Sequence, residues 1–159
     1  MPVLISYRHT ARLDAFILNE RLLLEDIPTQ LVQIDCDGQT HDDLYGSFCQ
    51  QMSDATHWIG VLSADIGQDG WTAWLLGAAT MACRRTGFFC KGPGELPEGL
   101  GRWPIMHERA HIDLFVRAYH DERTFARAMT LPPGRGSRMD RDNADFFHAD
   151  LKAKIRRGF

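Results

Sequence analysis

Apolar residues along this chain fall into two alternating patterns. Short continuous runs rich in β-branched and aromatic residues occur at V-L-I-S-Y (3–7), Q-L-V-Q-I-D (30–35), H-W-I-G-V-L-S (57–63) and G-F-F-C (87–90). Runs of this length and composition predict strands, the first of them buried. Between them the apolar positions recur every three or four residues, the spacing of one helix face. Residues 12–25 form a Leu-rich helix that stops at Asp26-Ile27-Pro28. After a turn at Asp37-Gly38, Thr40 and Asp43 make a capping-box-like start for a second helix, with Leu44, Tyr45, Phe48, Cys49 and Met52 on one stripe. Residues 70–84, opening G-W-T-A-W-L-L-G-A-A, form a third helix with Trp71, Trp74, Leu75, Ala78 and Ala82 on its stripe.

Strand and helix alternating in this way predict an α/β fold: a central parallel sheet with helices on both faces, joined by right-handed crossovers. Beyond the fourth strand, residues 91–104 contain four glycines and three prolines and read as a loop. Residues 107–127 read as a helix with Ile112, Phe115, Val116 and Tyr119 on one face. Residues 131–143, L-P-P-G-R-G-S-R-M-D-R-D-N, read as a mobile loop, and residues 144–157 as a basic terminal helix.

Composition narrows the classes of function. A chain of 159 residues with 44% apolar content is one domain able to bury a core without staples. Four cysteines, Cys36, Cys49, Cys83 and Cys90, include no C-x-x-C pair, so neither a disulfide framework nor a thiolate zinc site is expected. No apolar run reaches the length of a membrane span, and the first residues lack the features of a signal peptide. The expected location is the cytoplasm. The net charge of −3 argues against nucleic acid as a partner. That charge is uneven: residues 1–101 carry 6 basic and 13 acidic side chains, residues 102–159 carry 12 and 8. A solvated face accounts for the basic tail, and a partner surface is the alternative.

One short motif carries possible metal chemistry. H-E-R-A-H, residues 107–111, matches H-E-x-x-H, in which two histidines one helical turn apart share zinc and the glutamate serves as general base. His107, Glu108 and His111 lack a third ligand at the spacing the extended motif uses, because Leu114 and Arg117 occupy those places. His120 and Glu122 would need unusual geometry. A solvated helix face is the simpler reading.

The order of segments resembles a known family. V-L-I-S-Y-R-H-T, a helix, an acidic turn, A-T-H-W-I-G-V-L-S and then W-x-x-W-x-x-G are similar to a bacterial TIR (Toll/interleukin-1 receptor) domain of the small free-standing type. The resemblance covers residues 3–90, the core of a single TIR-like domain over 1–159, and is less distinctive over the loop and helices of 91–159. It implies a flavodoxin-like sheet and an NAD-type nucleotide as substrate or ligand. Many members cleave NAD, by hydrolysis or cyclisation, in antiphage defence and signalling. Others only assemble with TIR partners, as homo- or hetero-oligomers. On the matching positions, Arg8 and His9 end the first strand beside the nucleotide. Asp37, Gly38 and Gln39 lie in the loop that shapes the pocket, and Ser63 ends the third strand at the same rim. Trp71, with Trp74 beside it, walls the ligand.

The family's catalytic glutamate lies four residues after that tryptophan, and here the position is Leu75. A carboxylate there would stabilise the positive charge that develops on the ribose as the glycosidic bond breaks, and leucine supplies none. Asp69 is a weak substitute, more naturally a helix cap, and Asp35, Asp37, Asp42 and Asp43 are further acids near the second loop. The expectation is therefore a TIR-type protein impaired as an NADase, acting by nucleotide binding or TIR–TIR assembly. The alternatives are an active NAD glycohydrolase or cyclase with a displaced or partner-supplied carboxylate, and a zinc hydrolase at residues 107–111. A non-TIR flavodoxin-like binding protein is a weaker fit, since S-Y-R-H-T-A-R is too bulky and basic for a phosphate-gripping loop.

Overall fold

The computed structural model describes residues 2–35, 41–63, 70–91, 96, 99–129 and 138–158. Strands β1 (Val3–Tyr7), β2 (Thr29–Gln33), β3 (His57–Val61), β4 (Arg85–Phe89) and β5 (Ile105–Met106) form one all-parallel sheet in the order β2-β1-β3-β4-β5. Helices α1 (Arg12–Leu23), α2 (His41–Asp54), α3 (Gly70–Met81), α4 (Arg109–Met129) and α5 (Arg138–Arg157) cover it. This is the flavodoxin-like doubly wound arrangement.

Alternation along the buried strands sends side chains to two separate cores. Val3, Ile5 and Tyr7 pack with Leu18 and Leu22 of α1, Phe115 and Tyr119 of α4, and Phe147 and Leu151 of α5. Leu4, Trp58 and Phe88 point the other way, onto Phe48 and Met52 of α2 and Leu75 and Ala79 of α3. Gly60 belongs to this second face. A Cβ there would lie 3.0 Å from the Phe88 ring and 3.3 Å from that of Trp58, so only glycine leaves room for the pair. The two rings meet edge to face at 5.5 Å, and the Trp58 indole N–H donates to Ser6 Oγ at 2.9 Å.

Several boundaries differ from the sequence reading. β2 leaves the ladder at Gln33, although Ile34 still donates its N–H to the Tyr7 carbonyl. The loop predicted over 91–104 runs into β5, two residues that only tertiary pairing with Phe88 and Phe89 makes a strand. α5 begins at Arg138, so 138–143 are helical rather than loop, and the helix starts six residues before the 144 read from the sequence. α3 ends at Met81 because Cys83 adopts φ 54°, and Arg84 N–H bonds back to the Ala79 carbonyl in a Schellman stop. Cys83 and Cys90 are buried, Cys49 is exposed, and these three are free thiols. No described helix is long and apolar enough to cross a membrane.

Candidate functional site

In an open parallel sheet of this order, the crevice lies beyond the carboxyl ends of β1 and β3, where the strand order reverses. The chain leaves β1 at Arg8 and His9, and leaves β3 at Leu62 and Ser63, so the predicted Arg8, His9 and Ser63 border that crevice. Asp35, just past β2, ties the rim together. Its Oδ1 accepts the His9 N–H at 2.7 Å, and its Oδ2 lies 3.6 Å from Arg8 Nε. His9 opens the 3₁₀ turn His9–Ala11 that runs directly into α1. The carboxylate therefore sits at a helical N-terminus, where peptide dipoles favour negative charge.

Trp71 and Leu75 stand at the next stretch of the same rim, on the first turns of α3. With Val32, Ile34, Leu44 and Phe48 they line an apolar cavity of about 10 Å³, room for about one water. Leu75 is only 1% exposed and belongs to the α2/α3-side core. Trp74 turns toward α2 instead: its ring lies 5.2 Å from Tyr45, 5.8 Å from Phe48 and 5.6 Å from Trp71. So Trp71 and Leu75 share the cavity, while the Trp74 ring packs against α2. Ile34 lines the cavity and is the chain neighbour of Asp35, which joins this apolar patch to the Arg8–His9 rim. Asp37, Gly38, Gln39 and Asp69 lie outside the described residues, as does Thr40.

The H-E-R-A-H segment takes a different shape from the helical one its spacing predicts. α4 begins at Arg109, so His107 and Glu108 precede it. The His111 ring turns back, its Nδ1 accepting the His107 N–H at 3.1 Å. His107 donates its own Nδ1–H to the Cys90 carbonyl at 3.0 Å. Each ring thus spends a nitrogen on backbone, fastening the start of α4 to the end of β4. Among the described residues, no three His, Cys, Asp or Glu side chains come together as a metal site.

The strand amino ends hold a buried polar cluster that no sequence motif marks. His57, fully buried, has Nδ1 2.9 Å from Thr56 Oγ1 and Nε2 3.1 Å from Glu122 Oε2, off the line of a good hydrogen bond. Arg85 Nε donates to Glu122 Oε1 at 2.6 Å, and the Thr86 N–H donates to His148 Nε2 at 2.8 Å. Burial holds the His57 imidazole below its usual range, and the same cause holds His148 down to about 4. Burial pushes the Glu122 carboxyl up, but His57 and Arg85 outweigh it and leave the group below the ordinary carboxylate range. We assign His57 as neutral with its proton on Nε2, toward Glu122, so that Nδ1 accepts from the Thr56 hydroxyl. The sequence signal was a histidine opening a wholly apolar strand run, a position where an imidazole needs a partner from elsewhere in the fold.

No protein-family model matches this chain, and no curated protein matches it.

Proposed function

We propose that this chain is a TIR-type protein disabled as an NAD-cleaving enzyme, acting in a bacterial NAD-linked defence or signalling system through nucleotide contact at the rim or assembly with other TIR chains. The burial of Leu75 carries the reading. The position four residues past Trp71 is filled by an apolar side chain packed into the core, and the cavity beside it is lined wholly by apolar and aromatic residues. Ribose and its developing positive charge would meet no carboxylate among the described residues lining that cavity. Removing one well-placed electrostatic group from an active site typically costs ~100- to 1000-fold in rate. The cavity is also too small for a nicotinamide ring unless Trp71 or Leu44 moves. Asp35, the described acid at this rim, is engaged by the His9 N–H and faces Arg8, which suits it to bracing rather than catalysis.

Rim residues give the nucleotide reading its chemistry. Arg8 offers a guanidinium to a pyrophosphate, and Ser63 a hydroxyl to phosphate or ribose. Titration of NAD and ADP-ribose into purified protein by calorimetry tests the binding arm, with Arg8→Ala and Trp71→Ala beside wild type. Binding that Arg8→Ala weakens at least about tenfold, with no heat of turnover, is the expected result. Absence of nucleotide binding together with a monomer at all concentrations would leave the proposal without a mode of action.

A further inference from the structure

A second cavity, of about 250 Å³, opens at the other end of the sheet from the Arg8–Ser63 rim. It lies where the carboxyl end of α3, the 3₁₀ turn Leu100–Arg102 and the α5 helix meet, and its walls include Arg84, Arg102, Trp103, Arg141, Asp145 and His148. Three guanidiniums face one carboxylate, in a chain whose net charge is negative. Helix capping accounts for part of this. Arg84 Nη2 donates to the Ser53 carbonyl at the end of α2 at 3.1 Å. It does not account for Arg102 and Arg141, which join no ion pair among the described residues. Arg102 lies over the Trp103 ring, its Cζ 5.8 Å from the centroid.

The walls are fastened. Lys152 of α5 donates to the Gly101 carbonyl at 2.7 Å and to that of Arg102 at 3.3 Å, tying the turn that bears Arg102 to the helix that bears Arg141. His148 is fixed through Nε2 by the Thr86 N–H, which places the proton of the neutral ring on Nδ1 as a donor. Planar guanidiniums match phosphate oxygens in pairs of parallel hydrogen bonds. Asp145 has nothing to offer a phosphate, but it accepts from a hydroxyl beside one. We propose that this cavity binds a small phosphomonoester of the sugar-phosphate type, its phosphate held by Arg84, Arg102 and Arg141 and a neighbouring hydroxyl by Asp145. The site is separate from the rim where the nucleotide reading places its ligand, and α3 spans the distance between them.

The test is a titration of ¹⁵N-labelled full-length protein, followed by amide and indole resonances. The probes are ribose 5-phosphate, inorganic phosphate, ribose, and sodium chloride at matched ionic strength. Saturable shifts at Arg84, Thr86, Trp103 and residues 144–148 with ribose 5-phosphate are expected, weaker ones with inorganic phosphate, and none with ribose or chloride. An Arg102→Gln/Arg141→Gln variant, both positions being exposed, should keep its melting temperature and bind at least about tenfold more weakly, since each lost charged hydrogen bond is a factor of about ten or more. Equal response to chloride, an unaffected double variant, or shifts confined to Arg8, Ser63 and Trp71 would each overturn the proposal. Binding of inorganic phosphate as tight as the sugar phosphate would overturn the phosphomonoester assignment.

Discussion

Replacing Leu75 with alanine separates a core residue from a pocket wall. The side chain is 1% exposed and sits among Phe48, Trp71 and Ile34, next to a cavity with room for about one water. Truncation removes three carbons, worth ~0.8 kcal/mol each on transfer from water, or ~2.4 kcal/mol. Trp71 and Trp74 are braced edge to face and Trp74 is held by Tyr45 and Phe48, so the wall has little freedom to collapse. The remaining void adds roughly 1 kcal/mol, which brings the loss to about 3–4 kcal/mol, inside the usual span for buried Leu→Ala changes. In a domain of this size that lowers the melting temperature by about 10 °C. Urea unfolding followed by circular dichroism measures it, and an unchanged m value confirms that stability alone moved. Leu75→Met keeps the volume and should cost less than ~1.5 kcal/mol. A loss below about 1 kcal/mol for Leu75→Ala would refute the reasoning, since it would mean that the side chain faces a solvent-filled pocket.

Three further outcomes follow from the geometry. Asp35→Ala strips the His9 N–H of its acceptor and Arg8 of its counter-charge, and should cost about 1 kcal/mol in urea unfolding, whereas Asp35→Asn, which keeps an acceptor oxygen, should recover most of it. Gly60→Ala drives a methyl into the Phe88 ring and should destabilise by about 1–3 kcal/mol; a neutral effect in calorimetry would show that the Trp58–Phe88 pair can shift. Stability should also fall in mild acid. His148 is held at about 4 in the folded state, below its unfolded value of 6.5, so the unfolded chain binds more protons between those pH values. The stability is therefore fully present above pH 6.5 and is lost as pH falls toward 4, by at most about 3 kcal/mol, with buried His57 adding in the same direction. Burial is the main cause of this shift, with Arg85 and Arg102 adding to it and Asp145 opposing it. His148→Ala should flatten the slope seen in pH-dependent thermal melts, and should cost stability at pH 7.5 by orphaning the buried Thr86 N–H.

Four of the five strands could be read from the sequence: β1, β3 and β4 carry continuous apolar runs, whereas β2 shows only Leu31-Val32 between glutamines, in keeping with its place at the sheet edge, where none of its residues is fully buried. β5 could not: Ile105-Met106 is too short to show a period, and its strand character comes from pairing with β4. The helix faces were legible in part: of the predicted stripes Phe48, Met52 and Leu75 lie in one core, whereas Tyr45 and Cys49 of the α2 stripe are exposed, since only a narrow face of that helix meets the sheet. What the stripe could not separate was a residue facing the sheet from one facing the next helix, as with Trp74, whose ring meets Tyr45 and Phe48 of α2. The H-E-x-x-H spacing misled for a related reason. Spacing assumes that the helix has already begun, and here its first residue is Arg109. The buried His57–Glu122–Arg85 group joins residues far apart in the chain, and no local pattern announces it.

On the proposed function, a nucleotide reaching this protein is left uncleaved. The measurement that bears on it most directly is nicotinamide release from NAD by the purified full-length chain, at low and high protein concentration, beside Leu75→Glu with its melting temperature recorded. Wild type should release no nicotinamide above the buffer rate at either concentration. Leu75→Glu, where it stays folded, should gain turnover if the rim still positions the nucleotide. Sustained release by wild type, above all release that grows more than linearly with protein concentration, would contradict the account and place the missing carboxylate on a neighbouring copy.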